Sequence, residues 1–166
     1  MTKTLFSEVY QMFFDKITDD MYLEYTEFDT KRDCQAILLN AISKFEFPKV
    51  NLFDYTIYEP EEGAESTFNV ELSREEINIL ACLMREEWLA RQMNSIEITR
   101  QKYYGNDFKL TSQAAHLAQL KNLLELNKQE SLHLQRLYKR RKISEGKIES
   151  NWSSLIENRV LDGNNI

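Results

Sequence analysis

The sequence predicts a mainly α protein: a helical bundle with two long antiparallel helices and a small β-hairpin. Three observations predict it. Only four Gly and two Pro occur among 166 residues, roughly a third of the ~12% that average usage supplies, so folds needing a turn every ten residues are poorly served. Apolar residues recur at three- and four-residue steps through most of the chain, which is the helical period. Strict alternation, the strand period, occurs only in two short stretches near residues 53–57 and 68–72.

Phe6, Val9, Tyr10, Phe13 and Ile17 place an aromatic stripe on a first helix over about 3–17, stopped by Thr18-Asp19-Asp20. Asp29 or Thr30 can cap a second helix, whose Cys34, Ile37, Leu38, Ala41, Ile42 and Phe45 form one wide stripe. Pro48 prevents its continuation. Phe53, Tyr55 and Ile57, then Phe68, Val70 and Leu72, alternate with polar residues and predict two strands of a hairpin over about 50–72. Its charged tip, Glu59 to Ser66, is too acidic to bury. A lone hairpin is marginal in water, so it must lie on the helices or join strands from neighbouring subunits.

Ser73-Arg74-Glu75-Glu76 spells a capping box, in which Ser73 and Glu76 satisfy each other's backbone amides at a helix start. Ile77, Leu80, Ala81, Met84 and Trp88 carry the stripe, broadened by Ile79, Leu83 and Met93. The pattern runs to about Lys102, a helix ~42 Å long. Tyr103 to Asp107 carry turn chemistry, and Thr111 or Ser112 opens the second long helix. Leu117, Leu120, Leu124, Leu134 and Tyr138 continue its stripe, interrupted by Asn127 and Ser131, polar groups that can fix register between neighbouring helices. Residues 1–143 therefore read as the helical unit with its hairpin. Residues 144–166 read as a tail that is extended or ordered by a partner, with Trp152, Leu155 and Ile156 as anchors.

Composition narrows the function. The longest apolar run, Ile79 to Met84, is far short of the ~20 residues that span a bilayer, so no membrane role is expected. Cys34 and Cys82 sit inside apolar stripes and read as reduced, buried thiols. The glycines at 63, 105, 146 and 163 are too dispersed for a phosphate-cradling loop. Glu130-Ser131-Leu132-His133 matches half of a di-metal motif, but it needs a second copy. His116 lies ~26 Å from His133 along one helix, so the two cannot share a metal. Adjacent Glu86 and Glu87 point ~100° apart on a helix and read as solvated rather than as paired acids. No nucleophile elbow or cysteine–histidine pairing is spelled, so no enzyme and no cofactor is expected.

Charge is uneven. Residues 1–100 hold 10 Lys/Arg against 20 Asp/Glu, and residues 101–166 hold 11 against 7. The acidic part would repel phosphates, which leaves the C-terminal third for any contact with DNA. There Arg136, Lys139, Arg140, Arg141 and Lys142 put five cations in two turns at the end of the last long helix. Some of that charge complements the helix dipole, and the rest is available to an acidic partner or to phosphates.

The order of several segments is also familiar: Ile17-Thr18-Asp19-Asp20-Met21-Tyr22, Phe45-Glu46-Phe47-Pro48 with Leu52-Phe53-Asp54-Tyr55, Leu72-Ser73-Arg74-Glu75-Glu76-Ile77, Glu87-Trp88-Leu89-Ala90-Arg91-Gln92 and Leu134-Gln135-Arg136-Leu137-Tyr138. Over roughly residues 5–142 the chain resembles neck proteins of tailed bacteriophages, of the head–tail adaptor or connector kind. The resemblance implies a structural virion protein at the head–tail interface, present in the host cytoplasm during assembly. It implies a homo-oligomeric ring of twelve copies beneath the portal protein, contacts with downstream neck and tail proteins, and a passage for genomic DNA. The alternative is a non-enzymatic helical binding or regulatory module that uses residues 136–142 on nucleic acid or an acidic partner.

Overall fold

The computed structural model describes residues 3–17, 21–58, 64–102, 110–144 and 147–150. The chain begins with a short strand, β1 (Thr4–Leu5), before helix α1 (Phe6–Phe14), so the first helix is shorter than its stripe predicts. The reason is local competition for backbone groups. Leu5 N donates to Glu8 Oε1 at 3.1 Å, Phe6 N donates to Ser66 O at 2.9 Å, and Leu72 N donates to Thr4 Oγ1 at 2.8 Å. The first bond caps α1 at Leu5, and the other two tie the chain start to the remote 66–72 segment, so Thr4 and Leu5 pair as a strand ahead of the helix. Phe6, Val9 and Phe13 are buried as the stripe requires. The predicted stop at residues 18–20 lies outside the described residues.

Helix α2 (Met21–Glu24) leads into α3 (Glu27–Ile42). The cap of α3 is Thr26 rather than Asp29 or Thr30: its Oγ1 accepts from Asp29 N at 3.1 Å and donates to the Asp29 carboxylate at 2.6 Å. Asp29 thus serves the cap from inside the first turn, where its charge also suits the dipole. Cys34, Ile37, Leu38, Ala41 and Ile42 are buried. The helix ends at Ile42, six residues before Pro48, through turns that send Lys44 N to Ala41 O and Phe45 N to Ile42 O and turn Phe45 into the core.

The hairpin is present but much shorter than the alternation suggests. Strands β2 (Tyr55–Thr56) and β3 (Thr67–Phe68) pair antiparallel, Tyr55 opposite Phe68 and Thr56 opposite Thr67. β1 flanks the other edge of β3, giving the order β1-β3-β2. The chain's own N-terminus therefore supplies support that a lone hairpin needs. Phe53 is 66% exposed and Ile57 is exposed too, with only Tyr55 half-buried between them, so the inward alternation fails on the first stretch, whereas on the second Phe68 and Leu72 are buried and Val70 is half-buried. The acidic tip at 59–63 lies outside the described residues. Beside it Ser66 is buried, accepting from Tyr58 N at 3.0 Å and donating to Gln35 at 3.1 Å.

Helix α4 (Arg74–Lys102) begins at the capping box as predicted. Ser73 N donates to Glu76 Oε2 at 2.7 Å and Glu76 N to Ser73 Oγ at 3.3 Å. Helix α5 (Leu110–Arg140) returns antiparallel: Glu75 meets Arg141, Glu76 meets Tyr138 and Cys82 meets Asn127. As the position on α4 rises, that on α5 falls. The turn at 103–109 lies outside the described residues. α1 and α3 pack on α4, and the core joins Phe6, Phe13, Ile37, Leu38, Phe68, Leu80 and Met84 with Tyr138. Each such buried side chain contributes on the order of 1.5–3 kcal/mol. Both cysteines are buried free thiols. Burial pushes Cys34 up to about 12, with the Asp33 charge adding to it.

Beyond α5 the backbone changes period. β4 (Arg141–Ser144) and β5 (Lys147–Ser150) form an antiparallel hairpin with Ile143 opposite Ile148. The boundary predicted at 143/144 therefore falls inside a hairpin.

Candidate interaction site at the basic helix end

The cationic cluster stands on a helix end that is held from three sides. Tyr138, buried on the α4 side of α5, donates its phenol to Glu76 Oε1 and accepts from Lys49 N at 3.1 Å. Its ring meets Phe45 edge-on at 5.5 Å. One turn earlier, Gln135 Oε1 accepts from Glu46 N at 2.7 Å. The Phe45–Lys49 loop is thus clasped to the last turns of α5 by two backbone amides and an aromatic contact. Burial, then the Glu76 carboxylate, push the Tyr138 phenol above its ordinary range, so it stays a donor at neutral pH.

The five cations do not share one fate. Arg136, Lys139 and Arg140 are exposed, and spacings of three and four place them on one helix face. Among the described residues none of the three forms an ion pair. Lys139 lies 3.8 Å from the Phe47 ring centroid, where the ring quadrupole favours a cation. Arg141 and Lys142 belong to β4, not to the helix, which corrects the expectation of a continuous helical cluster. Arg141 is neutralised by Glu75 at 2.8 Å. Nothing is described of the Lys142 side chain, and Trp152, Leu155 and Ile156 lie outside the described residues.

Lys49 was not found from sequence. Its ammonium sits 4.3 Å from the Tyr138 ring centroid and donates to Arg141 O, joining the cluster and capping a carbonyl just past the helix end. It stands 89 residues from Tyr138, and no local spacing could have announced it. Chemically the site offers exposed point charges and a guanidinium fork on a fixed scaffold, suited to carboxylates or phosphates.

Other polar groups singled out in the sequence are arranged differently. Glu86 and Glu87 are largely shielded and both engage Lys44, Glu86 at 2.9 Å. The two carboxylates leave the helix in different directions but converge on one cation, which corrects the solvated reading. Burial opposes the Lys44 charge, yet hydrogen bonds to Glu87 and Glu86 outweigh it and raise the ammonium above its usual range. Glu130, His133 and His116 are exposed, and Glu130 Oε1 lies 4.0 Å from Cys82 Sγ. Among the described residues no group of three or more His, Cys, Asp or Glu could hold a metal ion, and no helix is long and apolar enough to cross a membrane.

Fold and site together define a mainly helical protein with a small antiparallel sheet and an anchored cationic helix end. No protein-family model, no curated protein and no solved structure matches the chain.

Proposed function

We propose that the chain is a structural adaptor of the phage head–tail connector kind, forming a ring of twelve copies under the portal and handing the DNA passage on to the tail. The observation that carries this reading is the α5 end itself. Three cations face outward on a helix whose position is fixed by Tyr138, Gln135 and the Phe45–Lys49 loop. A rigid presentation loses little entropy on docking, which suits assembly with an acidic protein surface. The resemblance of several segments to neck proteins supplies the biological setting, and the acidic excess of residues 1–100 suits a conduit through which DNA must slide without adhering.

The test is electron microscopy of the portal protein encoded in the same genome, alone and mixed with this chain. A new symmetric layer on the portal ring is the expected result; a pair that stays separate at micromolar concentration overturns the adaptor role. The same exposed cations favour a second reading, a helical module acting on nucleic acid. It requires salt-sensitive binding to duplex DNA that disappears when Arg136, Lys139 and Arg140 are changed to Gln. Arg141 is left out of that variant because its removal would strand Glu75.

A further inference from the structure

We infer that copies of this chain bind head to tail, the cationic face of Arg136, Lys139 and Arg140 on one copy entering a carboxylate-rimmed aromatic groove between α1, α2 and α3 of the next. This deepens the ring assembly of the proposed function and rests on that reading.

The groove has a volume of about 640 Å³ and is lined by Tyr10, Phe14, Tyr22 and Tyr25, with Asp15 and Glu27 among its charged groups. Tyr22 meets Phe14 edge-on at 5.3 Å and Tyr25 at 5.8 Å, so the rings form one continuous wall, and Tyr25 is 41% exposed. Aromatic faces beside carboxylates are the chemistry that holds a Lys or Arg: the rings cover the aliphatic stem and attract the cation, while a carboxylate accepts its N–H groups. Asp15 forms no ion pair among the described residues. Glu27 engages Lys31 at 2.6 Å, but that pair is well exposed, weak, and readily exchanged for an incoming cation.

The complementary face is built for such an acceptor. Arg136, Lys139 and Arg140 share one side of α5, and this end of the molecule already places cations over rings, Lys139 on Phe47 and Lys49 on Tyr138. The α3 side of the groove lies well away from the cationic end within one copy. Arg141 bonded to Glu75 puts the cationic end at the first turn of α4, whereas Asp33 bonded to Arg91 puts the start of α3 beside residue 91. The 16 residues between those marks rise ~24 Å along α4. Within one copy Arg136, Lys139 and Arg140 stay exposed, as do Asp15 and Glu27, which leaves both surfaces to a second copy. A contact between two different patches is heterologous, and with a suitable rotation it closes into a ring.

The experiment is sedimentation velocity on the full chain, comparing wild type with a groove variant (Asp15→Lys with Glu27→Lys) and a helix-end variant (Arg136→Glu with Arg140→Glu). Wild type is expected to self-associate and to weaken with salt. Each variant alone should raise the dissociation constant at least ~tenfold, and an equimolar mixture should recover it to within ~threefold, because the reversed charges complement one another. Should either reversal fail to fold, Asp15→Asn with Glu27→Gln and Arg136→Gln with Arg140→Gln must weaken association in the same direction. A wild type that stays monomeric to ~100 µM, variants that associate like wild type, or folded variants whose mixture stays monomeric each overturn the contact. So does a helix-end variant that loses DNA binding while keeping self-association. A portal layer formed equally by wild type and both variants overturns this contact and leaves the adaptor role standing. Wild type that self-associates as expected but adds no layer to the portal does the reverse.

Discussion

Glu76 shows how one side chain can join two levels of structure. Its Oε2 accepts from the Ser73 amide and hydroxyl, each at 2.7 Å, while its Oε1 takes the Tyr138 phenol from 62 residues away. The first role is legible in the text, because Ser-x-x-Glu places both caps within one turn. The second is not, because nothing near residue 76 specifies that the last turn of another helix will arrive there. Tyr138→Phe removes a hydrogen bond to a charged acceptor and should cost about 1–2 kcal/mol, while Glu76→Ala, which also opens the cap, should cost about 3 kcal/mol. The double variant should cost less than the two singles summed, by about 1–2 kcal/mol, since the shared bond can be lost only once. Urea denaturation of the four proteins measures this, and costs that add to within ~0.5 kcal/mol would sink the coupling.

At the scale of elements, the long helices were readable because their stripes repeat many times, whereas of the sheet the hairpin was readable and its length and third strand were not. A ladder two residues long is decided by remote backbone, and Thr4–Leu5, which forms its third strand, reads in isolation as the start of a helix. The seam of α5 shows what sequence can say about pairing. Leu117, Leu120, Leu124, Asn127, Ser131, Leu134 and Tyr138 follow a heptad, and the two polar members are buried rather than solvated. Asn127 is 1% exposed; its Nδ2 donates to Cys82 O at 2.9 Å, and its Oδ1 has no hydrogen-bond partner among the described residues. A buried, half-satisfied amide costs stability while marking one register. Asn127→Leu should therefore raise stability by about 1 kcal/mol, read as a higher urea midpoint at unchanged slope. A lower midpoint would show that the amide stabilises the pair outright.

For the molecule as a whole, the sequence conveyed the mainly helical class and the cationic end, but not how the core is distributed along the long helices. α1 runs beside the first turns of α4, with Thr4 bonded to Leu72 and Lys16 beside Cys82. α3 crosses the other way, from Asp33 at Arg91 to Lys44 at Glu86. Residues of α4 that pack in the shared core extend only to Trp88. Beyond it Leu89 is buried, and from residue 92 to 98 no side chain is. The outer α4–α5 pair is therefore held chiefly by its own seam, through Leu117 and Leu120. A uniform stripe conceals this, because periodicity records that a face is apolar and not how many partners cover it. Opening free energies follow local burial, so amide exchange along α4 should divide near residue 91. Amides of 78–89 should exchange only by global unfolding, with the slope in denaturant of the whole molecule, and those of 93–98 by local opening that is nearly independent of denaturant. Native-state hydrogen exchange read by NMR resolves the two classes, and equal protection from 78 to 98 would mean that α4 and α5 unfold as one unit with the core. That same division leaves the α5 end, where Arg136, Lys139 and Arg140 stand, in the most stable layer, as a docking surface that must hold its shape requires.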